Sequence, residues 1–226
     1  MKIQNTKRVV LALILILPSA IYIFLTTGKH NFIHLPFVGP QTDSTFHMIP
    51  DFAFLNQFGD TINSNDYRGN IYVANFVFTT CPTICPVMTF QMRRVQQKFE
   101  EYPNFMILSH SVNPAYDTPE VLLEYAKNMQ ADLRNWNFVT GTKESIYKMA
   151  PFYFVNAMED EQAAGGFLHS EYFILVDKEG RIRSRKDDNG NIMGVYDGTS
   201  EHEVGLLIDD IKVLMAEYNL AKKDKS

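Results

Sequence analysis

The stretch Phe76-Val77-Phe78-Thr79-Thr80-Cys81-Pro82-Thr83-Ile84-Cys85-Pro86 constrains this chain more than any other, because it holds the only two cysteines. Ile71 to Phe78 is apolar almost throughout, which is how a central strand buried on both faces reads. Pro86 lacks an amide hydrogen and fits the first turn of a helix. A helix is therefore expected from about Cys85 or Pro86 to Tyr102, with Phe90, Met92, Val95 and Phe99 inward and Cys81 in the preceding loop. Two thiols this close suit a disulfide or one half of a soft-metal site. The helix dipole is expected to depress the pKa of Cys85 and favour its thiolate, which is both redox nucleophile and metal ligand. The plainer reading is a pair of inert core cysteines or a static bridge. A bridge across one turn adds little stability, and the strand-to-helix position argues against core filling.

The N-terminus sets the compartment. Lys2, Lys7 and Arg8 precede an apolar run from Val9 to about Leu25; a run of roughly 17–20 apolar residues can span a bilayer. The exit Thr26-Thr27-Gly28 is a poor cleavage site, so the run reads as an uncleaved anchor and not a signal peptide. The positive-inside rule leaves residues 1–8 in the cytoplasm, the transmembrane helix at 9–27 and the rest outside. With no presequence before the anchor, the expected membrane is the bacterial inner membrane, with the domain in the periplasm or outside. Residues 28–49 contain Pro36, Gly39 and Pro40, show no sustained period and read as a linker in which His30 and His34 are solvated. A domain over 50–220 and a tail at 221–226 complete the division. The composition, 46% hydrophobic and 21% charged, supports one well-buried domain. A net charge of −5 and the lack of any recognition motif exclude a nucleic-acid binder.

Within the domain, residues 51–56 and 61–63 read as paired strands around the turn Gln57-Phe58-Gly59-Asp60. Residues 105–112 read as a strand and 113–116 as a turn. A helix follows from Thr118 as cap and Pro119 to about Asn128. A strand at 136–139 and a helix from Thr142 to about Ala150 come next, then a polar insert over 158–166. Residues 171–176 and 181–185 read as a hairpin, 187–198 as a polar excursion, and Ser200-x-x-Glu203 as a capping box for a last helix. Strands alternating with helices give an α/β fold, its sheet partly parallel and closed by an antiparallel hairpin. Chemistry in such sheets sits beyond the carboxyl ends of strands, where the cysteine loop lies. Met88 and Met92 read as core, while His47-Met48, His110 and His202 are isolated. Asp117 reads as a turn or cap residue and not as an acid catalyst.

Thr80-Cys81-Pro82-Thr83-Ile84-Cys85-Pro86 resembles the T-C-P-x-x-C-P signature of the SCO/SenC family, and Ser111-Val112-Asn113-Pro114-Ala115-Tyr116-Asp117-Thr118-Pro119-Glu120 resembles its S-V-D-P-x-x-D-T-P-E. Gly141-Thr142-x-Glu144 and a last histidine before a hairpin fit too, and the resemblance runs from about Pro50 to about Leu214. It implies a thioredoxin-like fold, a central mixed sheet flanked by helices behind an N-terminal transmembrane helix. It also implies a metallochaperone, not a conventional enzyme, that loads copper into cytochrome c oxidase or prepares the cysteines of its copper site. The implied ligands are Cys81, Cys85 and His169. Two thiolates and an imidazole suit Cu(I), with the nitrogen accommodating Cu(II). The alternative is a thiol-disulfide oxidoreductase that cycles Cys81 and Cys85 against extracytoplasmic partners. A peroxidase of the peroxiredoxin kind is ranked last, because Phe78 stands where that pattern has threonine. Leu168 and Asn113 depart from the family's aspartates, which bears on the surroundings of the site and not on its ligands.

Overall fold

The computed structural model describes residues 14, 16–19, 21, 34–42, 45–159 and 167–223, with side chains at all of these except 157–159, 167–169 and 221–223. The chain divides into two compact units, 1–33 and 34–226. In the first, residues 14, 16–19 and 21 are helical. Most of the expected anchor at 9–27 lies outside the described residues, and among those described no helix is long and apolar enough to cross a membrane.

In the second unit, seven strands form one sheet. They are β1 (Ala53–Asn56), β2 (Thr61–Asn63), β3 (Ile71–Val77), β4 (Phe105–Ser111), β5 (Trp136–Thr140), β8 (Tyr172–Val176) and β9 (Tyr196–Asp197). Their order is β2-β1-β5-β4-β3-β8-β9. The pairs β3–β4 and β4–β5 are parallel and the others antiparallel, so the sheet is mixed, as expected. A separate two-stranded hairpin joins β6 (Ala157–Glu159) to β7 (Phe167–His169). The helices are α1 (Ser64–Tyr67), α2 (Ile84–Lys98), α3 (Pro119–Asn128), α4 (Lys143–Met149) and α5 (Glu201–Lys223), with a 3-10 turn at Ala150–Tyr153.

All seven residues of β3 are buried, because it lies inside the sheet and both of its faces are covered. Its side chains alternate between two cores. Ile71 and Val73 join Met88, Val95, Leu122, Leu207 and Ile211 under α2, α3 and α5. Tyr72, Ala74 and Phe76 join Phe52, Ile146, Ala150 and Tyr153 on the other face. Burial of this strand alone contributes on the order of 10 kcal/mol before chain entropy is set against it. Asn75, its one polar residue, is satisfied at Oδ1 by Ser109 Oγ at 2.6 Å, which in turn accepts from Trp136 Nε1 at 2.9 Å. Helix starts follow the sequence closely. Thr118 Oγ1 accepts from the Val121 amide at 3.4 Å and Thr142 Oγ1 from the Ser145 amide at 3.2 Å.

Five expectations change. Residues 34–42 and 45–49, read as part of a linker, lie on the domain, with Leu35 and Ile49 buried and a bridge between Phe37 and Arg183. Phe90, expected inward, is 57% exposed, while Met88 takes the inner position. The partner of β8 over 181–185 is reduced to a bridge between Val176 and Ile182, and the polar excursion contains β9 with Tyr196 fully buried. At the start of α5 the Ser200 hydroxyl accepts from the Glu203 amide, but the Glu203 carboxylate accepts from the Asp197 amide at 2.6 Å and ties β9 to the helix.

Candidate functional site

The cysteine loop begins where β3 leaves the sheet. The Val112 amide bonds the Val77 carbonyl at 2.9 Å, the last rung of the parallel ladder, and the Cys81 amide bonds the Phe78 carbonyl at 3.2 Å to close a tight turn. α2 starts at Ile84, as the position of Pro86 predicts within one or two residues. Its cap residue Thr83 makes no side-chain capping bond. Cys81 fills that role: its Sγ accepts from the Cys85 amide at 3.5 Å, and Thr83 Oγ1 lies 3.8 Å from the same sulfur. One sulfur thus serves as acceptor for the first turn of the helix that bears the other.

Both residues are present as thiols. Cys85 is fully buried and Cys81 retains 7% exposure. The expected depression of the Cys85 pKa is overturned. Its thiol is pushed up, first by its hydrogen bond to Cys81 and then by burial, and these outweigh the lowering effect of the Phe78 backbone. The two side chains interact, and the Cys85 amide places Cys81 Sγ against the first turn of the helix, with Cys81 the more exposed of the two. Such a pair can close as a disulfide or jointly grip one soft metal ion.

His169 ends β7, its Cα opposite Ala157. The hairpin is closed at its base by Ser170 Oγ, which accepts from the Asn156 amide at 3.1 Å. Because β8 runs antiparallel to β3, with Ile174 opposite Ala74, β8 starts at the carboxyl end of β3, the end of the cysteine loop. His169 precedes the first residue of β8 by three positions. The side chains of His169 and Leu168 are outside the description, and among the described residues no three metal-ligating groups gather.

The remaining candidates are structural. Met88 and Met92 are buried in the core, and His47 Nε2 bonds the Phe152 carbonyl at 2.8 Å. His202 is exposed, and His30 lies outside the described residues. His110 is fully buried, stacked on Phe76 at 4.8 Å between ring centroids and met edge-on by Phe54 at 5.5 Å. Neither ring nitrogen has a partner within hydrogen-bond geometry among the described residues, although the Asn75 backbone lies near enough to favour the charged form slightly.

Asp117, read from sequence as a turn or cap residue, does more. Its amide closes the turn onto the Asn113 carbonyl at 2.9 Å, but Thr118 alone caps α3. The carboxylate reaches instead to Thr79, two residues before Cys81. It accepts from the Thr79 amide at 3.3 and 3.4 Å and from Thr79 Oγ1 at 2.5 Å, while Ser111 Oγ donates to it at 2.5 Å. Burial pushes the pKa of this fully buried carboxyl up, against the pull of those bonds. A signal was present in the sequence: with Thr118-Pro119 already supplying cap and first position, an adjacent aspartate was surplus. Asn113 enters the same loop through its backbone, its amide bonding Ser111 Oγ at 3.1 Å.

The SCO1/SenC family model matches residues 40–201, which include both cysteines, Asp117 and His169. The SCO1 protein homolog of Bacillus subtilis (strain 168) is 33% identical over 157 residues, covering 69% of this chain and 80% of its own. A solved structure of BsSco, a member of the Sco family of cytochrome c oxidase assembly proteins in which a disulfide switch was identified, superposes with a TM-score of 0.63 at 28% identity, covering 78% of this chain and 98% of that one. Bradyrhizobium japonicum ScoI with copper bound shares the fold at a TM-score of 0.54 and 22% identity, covering 62% of this chain and 89% of that one. With a family match across more than half of its length and a strand-to-helix cysteine pair at the matched position, the chain belongs to the SCO1/SenC family.

Proposed function

We propose that this chain is a copper chaperone that holds one copper ion through Cys81, Cys85 and His169 and delivers it to the copper site of a cytochrome c oxidase subunit. The observation that carries the reading is the pair of buried cysteines at the first turn of α2, where Cys81 Sγ accepts from the Cys85 amide at 3.5 Å. Deprotonated on binding, the two sulfurs make a soft pair of ligands, and an imidazole from the β6–β7 hairpin completes a three-coordinate site suited to Cu(I). The oxidase as acceptor rests on the family to which BsSco also belongs. Residues 9–27 anchor the chain in the bacterial inner membrane, with residues 1–8 cytoplasmic and the domain outside, on the charge asymmetry and apolar length of that run.

The same pair favours a second reading, thiol-disulfide exchange with an extracytoplasmic partner, in which the more accessible Cys81 attacks the partner's disulfide and buried Cys85 resolves the mixed disulfide, leaving the partner with two thiols and this chain with a Cys81–Cys85 bond. Titration of the reduced protein with Cu(I) under a competing chelator tests the first reading. One equivalent is expected to bind, and Cys81→Ser or Cys85→Ser is expected to weaken binding by at least a hundredfold. Failure of the reduced wild-type protein to bind Cu(I) would leave thiol exchange as the function.

A further inference from the structure

The hydrogen bonds around Asp117 run toward the cysteine loop and not toward the helix that it precedes. Three of its contacts are to Thr79 and one is to Ser111, whose hydroxyl oxygen also accepts from the Asn113 amide. Among the described residues no arginine or lysine pairs with the carboxylate. An unpaired buried carboxylate costs several kcal/mol relative to a neutral residue of the same shape. α3 gains no cap from it. What it does hold is the turn from Phe78 to Cys81: the Phe78 carbonyl takes the Cys81 amide, and Asp117 takes the Thr79 amide and hydroxyl. Without it, the amide and hydroxyl of half-buried Thr79 lose these bonds.

We propose that Asp117 is a positioning residue for the cysteine pair, clamping Thr79 so that the turn delivers Cys81 Sγ onto the first turn of α2 beside Cys85. This deepens the reading of the pair as the working site and rests on it. A fixed turn raises the effective concentration of one sulfur at the other, so closure of the pair costs less ordering than it would in a loose loop. Without the clamp, the turn keeps only the Cys81 amide bond to Phe78 and the long Cys85 amide bond to Cys81 Sγ, and the sulfurs meet a smaller fraction of the time.

The test is the Cys81–Cys85 equilibrium in the full chain against a glutathione buffer, read by thiol alkylation without copper. In that exchange the Cys81–Cys85 bond forms, one glutathione disulfide is reduced to two glutathione thiols, and the two protein protons pass to them. Asp117→Asn is expected to lower the equilibrium constant for bridge formation at least tenfold, which is about 30 mV toward a more oxidising couple. Thr79→Val keeps the buried charge and removes the hydroxyl, and it is expected to lower the constant about threefold or more. An effect of charge alone would leave Thr79→Val at the wild-type value, and that result overturns the proposal. So does an unchanged or raised constant in Asp117→Asn, whatever its melting temperature. Should Asp117→Asn fail to fold, Thr79→Val decides by the same criterion. Copper titration of the wild-type protein is independent of all these outcomes, so this inference can fail while the chaperone reading stands.

Discussion

His110 should make the domain sensitive to acid well above the pH at which carboxylates titrate. It is fully buried in β4 among Phe52, Phe54, Phe76 and Tyr153, with no hydrogen-bond partner at either ring nitrogen among the described residues. Burial lowers its pKa from 6.5 to about 3. A group whose folded pKa is depressed binds protons more readily in the unfolded chain, so the loss begins below the unfolded value. Stability is therefore full above about pH 6.5 and falls as pH drops toward about 3. At about 1.4 kcal/mol per pH unit, the loss approaches about 5 kcal/mol, a third or more of what a domain of this size commonly has. His110→Leu removes the titrating group and leaves no unpartnered nitrogen, so at pH 7 it should be within about 1.5 kcal/mol of wild type. Urea denaturation of the domain at pH 7, 6, 5 and 4 gives the assay. The quantity to read is the wild-type stability minus the variant stability, in which the shifted aspartates common to both cancel. That difference should become more negative by about 1 kcal/mol per pH unit below pH 6. A difference that stays flat from pH 7 to pH 4 would refute the reasoning, since it would mean that His110 finds water or a proton acceptor in the folded state.

Two further predictions concern packing. Arg183 is buried and bonds Asp177, Glu217 and the Leu35 carbonyl, so Arg183→Met takes one cation from two carboxylates and leaves the Leu35 carbonyl without its donors. It should cost about 3 kcal/mol, near the low end for a broken buried pair because Arg181 still holds Asp177, and lower the melting temperature by roughly 6–12 °C. At Gly198 a methyl group would stand 2.6 Å from the buried Phe173 ring and 3.0 Å from the Glu171 carbonyl oxygen. Gly198→Ala should therefore lose about 1–3 kcal/mol in the same denaturation assay.

What the sequence disclosed and what it hid follow one physical division. Elements whose pattern is local were legible: the unbroken apolar run of β3, the Thr118-Pro119 start of α3, the proline that begins α2. Elements defined by distant partners were not. Residues 34–42 and 45–49 have no period because isolated bridges, the Arg183 bonds to Leu35 and the Arg183 guanidinium 4.3 Å over the Phe37 ring hold them in place. The Glu203 side chain completes no capping box because the Asp197 amide of β9 competes for it. At the site, the closeness of Cys81 and Cys85 was readable from spacing and two prolines. The protonation of Cys85 was not, since it turns on burial and on the facing sulfur and not on helix position. Asp117 was seen, but its contact with Thr79 spans 38 residues of sequence, and a local reading could assign it only to its own turn.

The central claim is that Cys81, Cys85 and His169 together make a copper site, and His169 tests it most directly. Cu(I) affinity and disulfide formation should be measured side by side in wild type and in His169→Ala. Copper binding should weaken at least tenfold in the variant, with the thiol count and the rate of Cys81–Cys85 closure unchanged. Equal copper affinity in the two proteins would contradict it and leave the cysteine pair working without the histidine.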